Sequence, residues 1–66
     1  MLRDKIGERL VGLRGDKKQE EVAMAIGISR SALAMYESGG RIPRDEIKVR
    51  LAGYYKVSVQ DLFFTN

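Results

Sequence analysis

The sequence contains no cysteine and no histidine, and these two absences remove much of the chemistry open to a small protein. There is no disulfide framework, no thiolate or imidazole metal site, and no Cys–His or Ser–His pair to activate a nucleophile. No apolar run approaches the roughly 20 residues of a membrane helix. The N-terminal stretch MLRDKIGERL mixes acids and bases through its first turns, unlike a signal peptide. The expectation is a soluble cytoplasmic protein with no enzymatic activity, no cofactor, no metal and no membrane partner. Repeats, low-complexity tracts and linkers are also lacking, and Pro43 is the only proline.

What is present is short and basic. Sixty-six residues allow one domain, 1–66, with one small core, close to the lower size for folding without disulfides or metal. Twelve Lys and Arg against nine Asp and Glu give a net charge of +3 and a pI near 9.5, which favours a polyanionic partner without demanding one. Position is more informative than the sum. Lys17, Lys18, Arg30, Arg41 and Arg44 all fall at or near the ends of predicted helices.

The periodicity predicts five short helices and an all-α, compact five-helix bundle. In the first, about Leu2 to Arg14, Leu2, Ile6, Leu10 and Leu13 form one apolar stripe. Gly7 and Gly12 weaken that helix by about 1 kcal/mol each relative to Ala, so packing must hold it. Asp16 and Gln19 have the spacing of a capping box, and Val22, Ala23 and Ile26 then give one apolar face up to a stop at Gly27. Ser29 caps a third helix that closes at Gly39, with Leu33 and Tyr36 toward the core. A fourth runs from about Arg44 to Tyr55, with Asp45 and Glu46 favoured by the dipole in its first turn. Its broad apolar face comprises Ile47, Val49, Leu51, Ala52, Tyr54 and Tyr55. Ser58 with Asp61 reads as the cap of a last helix in which Val59, Leu62 and Phe63 close the core.

The second and third helices, about residues 19–38, are joined by a turn of only three residues containing glycine, the arrangement of a helix-turn-helix whose second helix enters the DNA major groove. The third helix carries Arg30, Ser31 and Ala34 outward, where a surface helix would usually carry Glu and Lys. A helix lying in a groove about 12 Å wide needs small residues for close approach and a few hydrogen-bonding ones for base edges.

Nearly all of the sequence resembles the DNA-binding domain of the Xre family, the Cro and phage C1-repressor class of lambda-repressor-like regulators. The resemblance rests on Gln19, Glu21, Val22 and Ala23, on the turn Gly27, Ile28 and Ser29, and on Leu33, Tyr36, Glu37 and Gly39. Pro43, Leu51, Ala52, Val57, Ser58, Leu62 and Phe63 continue it. It implies base contact by Arg30, Ser31 and Met35, with Ala34 close enough to meet a thymine methyl group; an Arg can pair bidentately with guanine. Met at helical spacing is equally a core filler. Phosphate contacts are implied for Gln19 at the start of the second helix, with Lys17, Lys18, Ser29, Ser38, Arg41 and Arg44 around it. Glu37 is implied to pair with Arg14, locking the third helix on the first and neutralising a carboxylate that would repel phosphate.

The sequence departs from the family pattern in places. The link from Arg14 to Gln19 is short, and Lys18 occupies a frequent Ser or Thr cap position, for which Asp16 is the substitute. Lys48 replaces an apolar residue, so its stem is expected along apolar surface with the ammonium outward. Gly40 stands in place of a frequent basic residue.

The expected function is a sequence-specific, double-strand DNA-binding transcriptional regulator of bacterial or phage origin, a repressor dimer on a palindromic operator. Tyr54, Val59, Phe63 and Phe64 are the candidate dimer residues, with core closure as their other use. The competing expectation is a protein-interaction module of the same fold, an antitoxin or adaptor. A protein antagonist or co-regulator is a further expected partner. The adjacent acid pairs Glu20–Glu21 and Asp45–Glu46 diverge on their helices and do not make a catalytic dyad.

Overall fold

The structure, a computed structural model, describes residues 2–64, with side chains from residue 5 onward. Five helical elements follow one another: α1 Leu2–Arg14, α2 Gln19–Ile26, α3 Arg30–Ser38, α4 Asp45–Tyr55 and a terminal segment, here α5, Gln60–Phe64. The side chain of Leu2, one of the four predicted stripe residues of α1, lies outside the described part. No helix among the described residues is long and apolar enough to cross a membrane.

The core collects the predicted apolar faces. Leu10, Val22, Leu33 and Leu51 are fully buried, one from each of the four longer helices, and Ile6, Ala23, Ile26, Tyr36, Ile47, Ala52, Leu62 and Phe63 surround them. Two predicted core positions are corrected. Val49 is 61% exposed and Leu13 37%. Ile47, Leu51 and Ala52 take the inner face of α4, and Val49 lies two positions from Ile47, the wrong offset for a 3.6-residue period. Leu13 instead lines a groove of about 350 Å³ with Gly12, Val57 and Leu62.

The start of α2 is also corrected. Lys18 occupies the N-cap position with no side-chain hydrogen bond, so Asp16 and Gln19 do not form a capping box. The short link is tied from the other side. Arg14 Nη1 donates to the carbonyl of Lys17 at 2.7 Å, and Lys17 N donates to the carbonyl of Arg14 at 3.1 Å.

The turn between α2 and α3 follows its sequence closely. Gly27 adopts a left-handed conformation, φ 77°, which a β-carbon would strain, and Ile28 N donates back to the Ala23 carbonyl at 3.0 Å. Ile28 packs its side chain against the core. Ser29 then accepts from Ala32 N at 3.0 Å as the N-cap of α3. Arg50 of α4 reaches the carbonyl of Ile26 at 3.4 Å, putting a cation on the C-terminal end of α2.

The last helix is wound as a π-helix rather than an α-helix. Its larger number of residues per turn lessens the angle between consecutive side chains, and the adjacent Leu62 and Phe63 are both buried. Ser58 Oγ accepts from Asp61 N at 2.9 Å at its start. Arg9 Nη1 donates to the Leu62 carbonyl at 3.1 Å, joining α1 to α5.

The α1–α3 contact explains one of the two glycines of α1. A β-carbon on Gly7 would fall inside contact distance of the Glu37 backbone carbonyl, whereas one on Gly12 would meet nothing within 4 Å. Gly7→Ala is therefore expected to destabilise the protein by about 1–3 kcal/mol through overpacking. Gly12→Ala should stabilise it by up to about 1 kcal/mol through helix propensity. Urea unfolding of the two variants checks this; equal gains in both would contradict the close approach of α1 and α3.

Candidate nucleic-acid interface

The outer side of α3 is built by what its inner side buries. Leu33 and Tyr36 face the core, which leaves Arg30 and Ser31 exposed, Ala34 half-buried and Met35 43% exposed. The terminus of Met35 bends back over Gly40, where any β-carbon would come within 2.9 Å of its methyl group. A basic residue at position 40 would displace that side chain. Ser38 is engaged locally: its hydroxyl donates to the Met35 carbonyl at 3.1 Å and accepts from Gly40 N at 3.3 Å.

A chain of polar contacts runs from α1 to the first residue of α3. Arg14 meets Glu37 through two parallel bonds, Nε to Oε2 at 2.8 Å and Nη2 to Oε1 at 3.1 Å. Gln19 Nε2 also donates to Glu37 Oε1 at 2.8 Å, and Gln19 Oε1 accepts from Arg30 Nη1 at 3.0 Å. The Glu37 side chain is only 4% exposed and that of Arg14 19%. A buried carboxylate needs such donors, since removing it from water without them costs several kcal/mol. The bond to Glu37 holds the Arg14 pKa above its ordinary value, against the opposing effect of burial.

Lys18, Gln19 and Arg30 line one polar groove of about 460 Å³ with Arg14 and Glu20. The other predicted phosphate contacts are placed differently. Lys17 rests on Tyr54, its ammonium 3.2 Å from the phenol oxygen and 4.9 Å from the ring centroid. Ser29 is the N-cap of α3, while Arg41 and Arg44 are exposed in the segment between α3 and α4. Lys48 spreads over Phe64 at 4.8 Å from its centroid and reaches Asp45 at 3.6 Å, with its stem covered as expected.

Of the four candidate dimer residues, Phe63 takes the other expected use, core closure, and its assignment to a dimer surface is corrected: it is 1% exposed and buried beside Leu62 in the π-helical turn. Phe64 is 54% exposed, and Tyr54 and Val59 are half-buried.

Three contributions were missed in the sequence: Arg50 behind the turn, Arg9 of α1 bonding to α5, and the buried hydroxyl of Tyr55. The hydroxyl of Tyr55 is buried without a hydrogen-bond partner. Its pKa is pushed up to about 12, first by burial and then by the charge of Glu37, with Arg14 opposing. Tyr54 packs against it edge to face at 5.1 Å. A tyrosine among partly buried apolar positions gives no sequence signal of this kind.

Residues 13–62 match the model of a family described as helix-turn-helix. Among solved structures, the chain is similar to the clp gene regulator ClgR from C. glutamicum. The two share 28% identity over 94% of this chain and 83% of that one, with a TM-score of 0.79. No curated protein matches the chain.

The phenol of Tyr55 titrates in the folded state above its ordinary value of 10.0. The folded protein thus holds that proton more tightly than the unfolded chain. Its contribution to stability is full below pH 10 and is lost as the pH rises through about 12. Tyr55→Phe is expected to flatten the fall in stability across that window. At neutral pH it should be neutral or slightly stabilising, because the hydroxyl it removes has no partner. Urea unfolding of both proteins from about pH 7 to about pH 12 measures this; parallel curves would contradict it.

Proposed function

The chain belongs to the helix-turn-helix family, of the Cro/C1 type, and is a DNA-binding transcription regulator; on that premise we propose that it reads a specific duplex sequence with α3 in the major groove. Residues 1–66 act as a single domain with the motif at about 19–38. Arg30, Ser31, Ala34 and Met35 face base edges. Lys18, Arg41, Arg44 and Gln19, the last through its backbone N–H, take phosphates, with Lys17, Ser29 and Ser38 at the margin because their side chains already have partners within the chain. The protein acts as a cytoplasmic repressor, two copies binding a palindromic operator.

The observation that carries this reading is Arg30. It is exposed at the first position of α3, beside small side chains, and one of its N–H groups is held by Gln19. A guanidinium so placed suits bidentate pairing with guanine O6 and N7. Dimerisation supplies what one short helix lacks, since two half-sites one helical turn apart multiply specificity. Phe64, Tyr54 and Val59 are the surface residues we assign to it.

A second reading, a module that binds a protein, has one observation in its favour. Met24 of α2 is 82% exposed and borders a groove with Ile28 and Arg30, and exposed apolar side chains of this kind suit protein contacts.

Selection from a randomised duplex pool over a salt series separates the two. The wild type should enrich a palindrome, with affinity falling steeply as salt rises. Arg30→Ala should lose about 1–3 kcal/mol on the enriched duplex and relax specificity at one base pair. Lys18→Ala should weaken binding uniformly and reduce the salt slope by about 1. Weak binding with no enriched sequence in any of the proteins would overturn the operator reading in favour of a protein partner.

A further inference from the structure

We propose that Glu37 is a positioning residue for base reading, acting through the amide of Gln19 to present Arg30. The inference rests on the assignment of Arg30 to a base edge and concerns how that side chain is aimed. Glu37 Oε1 accepts from Gln19 Nε2 at 2.8 Å, and Gln19 Oε1 accepts from Arg30 Nη1 at 3.0 Å. The two neighbours of this amide fix its orientation. A carboxylate only accepts and a guanidinium only donates, so a flipped amide would set oxygen against oxygen and N–H against N–H. The carboxylate, itself held by Arg14, thus turns the Gln19 carbonyl toward α3.

The consequence for Arg30 is both electrostatic and entropic. A cation on the first turn of a helix lies at the unfavourable end of the dipole, and α3 has no acid in its first turn to offset it. The Gln19 carbonyl supplies the negative end of a dipole there. It also restrains a long side chain before DNA arrives, a cost otherwise met on binding. Only one of the five guanidinium N–H donors is used, which leaves the others for a partner. The link is specific to the pair Gln19–Arg30, because Ser31 and Ala34 make no contact with Gln19 among the hydrogen bonds of the described residues.

The test uses the duplex enriched by the wild-type protein and a second duplex with the guanine pair assigned to Arg30 replaced by A·T. For the wild type the ratio of the two dissociation constants should be about 5- to 150-fold. Gln19→Leu and Glu37→Gln should each lower that ratio by about 2- to 10-fold. Neither change should lower it further in an Arg30→Ala background. A purely structural role of Glu37 would weaken both duplexes equally and leave the ratio unchanged, which would overturn the proposal. Glu37→Gln gives up the ion pair with Arg14 and so is the variant at risk of unfolding; Gln19→Leu leaves that pair intact and carries the test alone if needed.

A second arm needs no DNA. Gln19 and Gln60 are the only glutamines, so the side-chain amide of Gln19 is readily assigned by NMR. Its protons should show the downfield shift and slow exchange of a carboxylate-bound amide, lost in Glu37→Gln. An exposed-like Gln19 amide in the wild type would overturn the positioning role while leaving the DNA reading intact. Full discrimination in Arg30→Ala would instead overturn the assignment of Arg30, and no enriched sequence at all would overturn both.

Discussion

One carboxylate, that of Glu37, joins three helices that also share a small apolar core. It is nearly inaccessible to solvent, with a 4% exposed side chain, yet it is the acceptor for both Arg14 of α1 and Gln19 of α2. Three helices thus meet on one side chain. The neighbouring backbone of the same residue is what Gly7 makes room for, so apolar packing and the polar network act on a single contact between α1 and α3. In a domain of this size such coupling has weight, because the total stability of small domains is a narrow difference between large terms. A buried ion pair adds little to stability over an apolar substitute, but breaking it leaves an uncompensated charge. Its value here lies in fixing where α3 sits on α1.

That placement decides the surface presented to a partner. Leu33 and Tyr36 anchor α3 from below, Gly27 and Ser29 set its entry, and Arg50 steadies the end of α2 from behind. The outer turns are left with short side chains and one guanidinium already restrained by Gln19. A net charge of +3 provides general attraction to a polyanion, but the geometry of the helix is what gives that attraction a direction.

Much of this was legible in the sequence where local chemistry determines conformation. The turn at Gly27 and the cap at Ser29 depend on residues next to one another, and both formed as the residue types imply. The core positions Ile6, Leu10, Leu33 and Leu51 followed from helical spacing alone. Legibility failed where tertiary contacts override local signals. Asp16 and Gln19 have the spacing of a capping box, but the side chain of Gln19 is drawn to Glu37 and Arg30, and Lys18 starts the helix. Val49 is apolar yet exposed, because two positions from Ile47 is the wrong offset for a helical period; counting it into a broad apolar face overlooked that direction. The burial of Phe63 was legible as core closure, but the π-helical winding of its segment was not. The roles of Arg9 and Arg50 depend on carbonyls 53 and 24 residues away, a separation that pattern reading does not span.

The most direct measurement is a structure of the protein bound to its selected duplex at a resolution that shows side chains. The account predicts α3 in the major groove, with Arg30 still bonded to Gln19 and its free edge on a guanine. Arg14 and Gln19 should remain on Glu37, unchanged from the free protein. A complex in which the outer face of α3 points to solvent, or in which Arg30 leaves Gln19 for a phosphate, would contradict it.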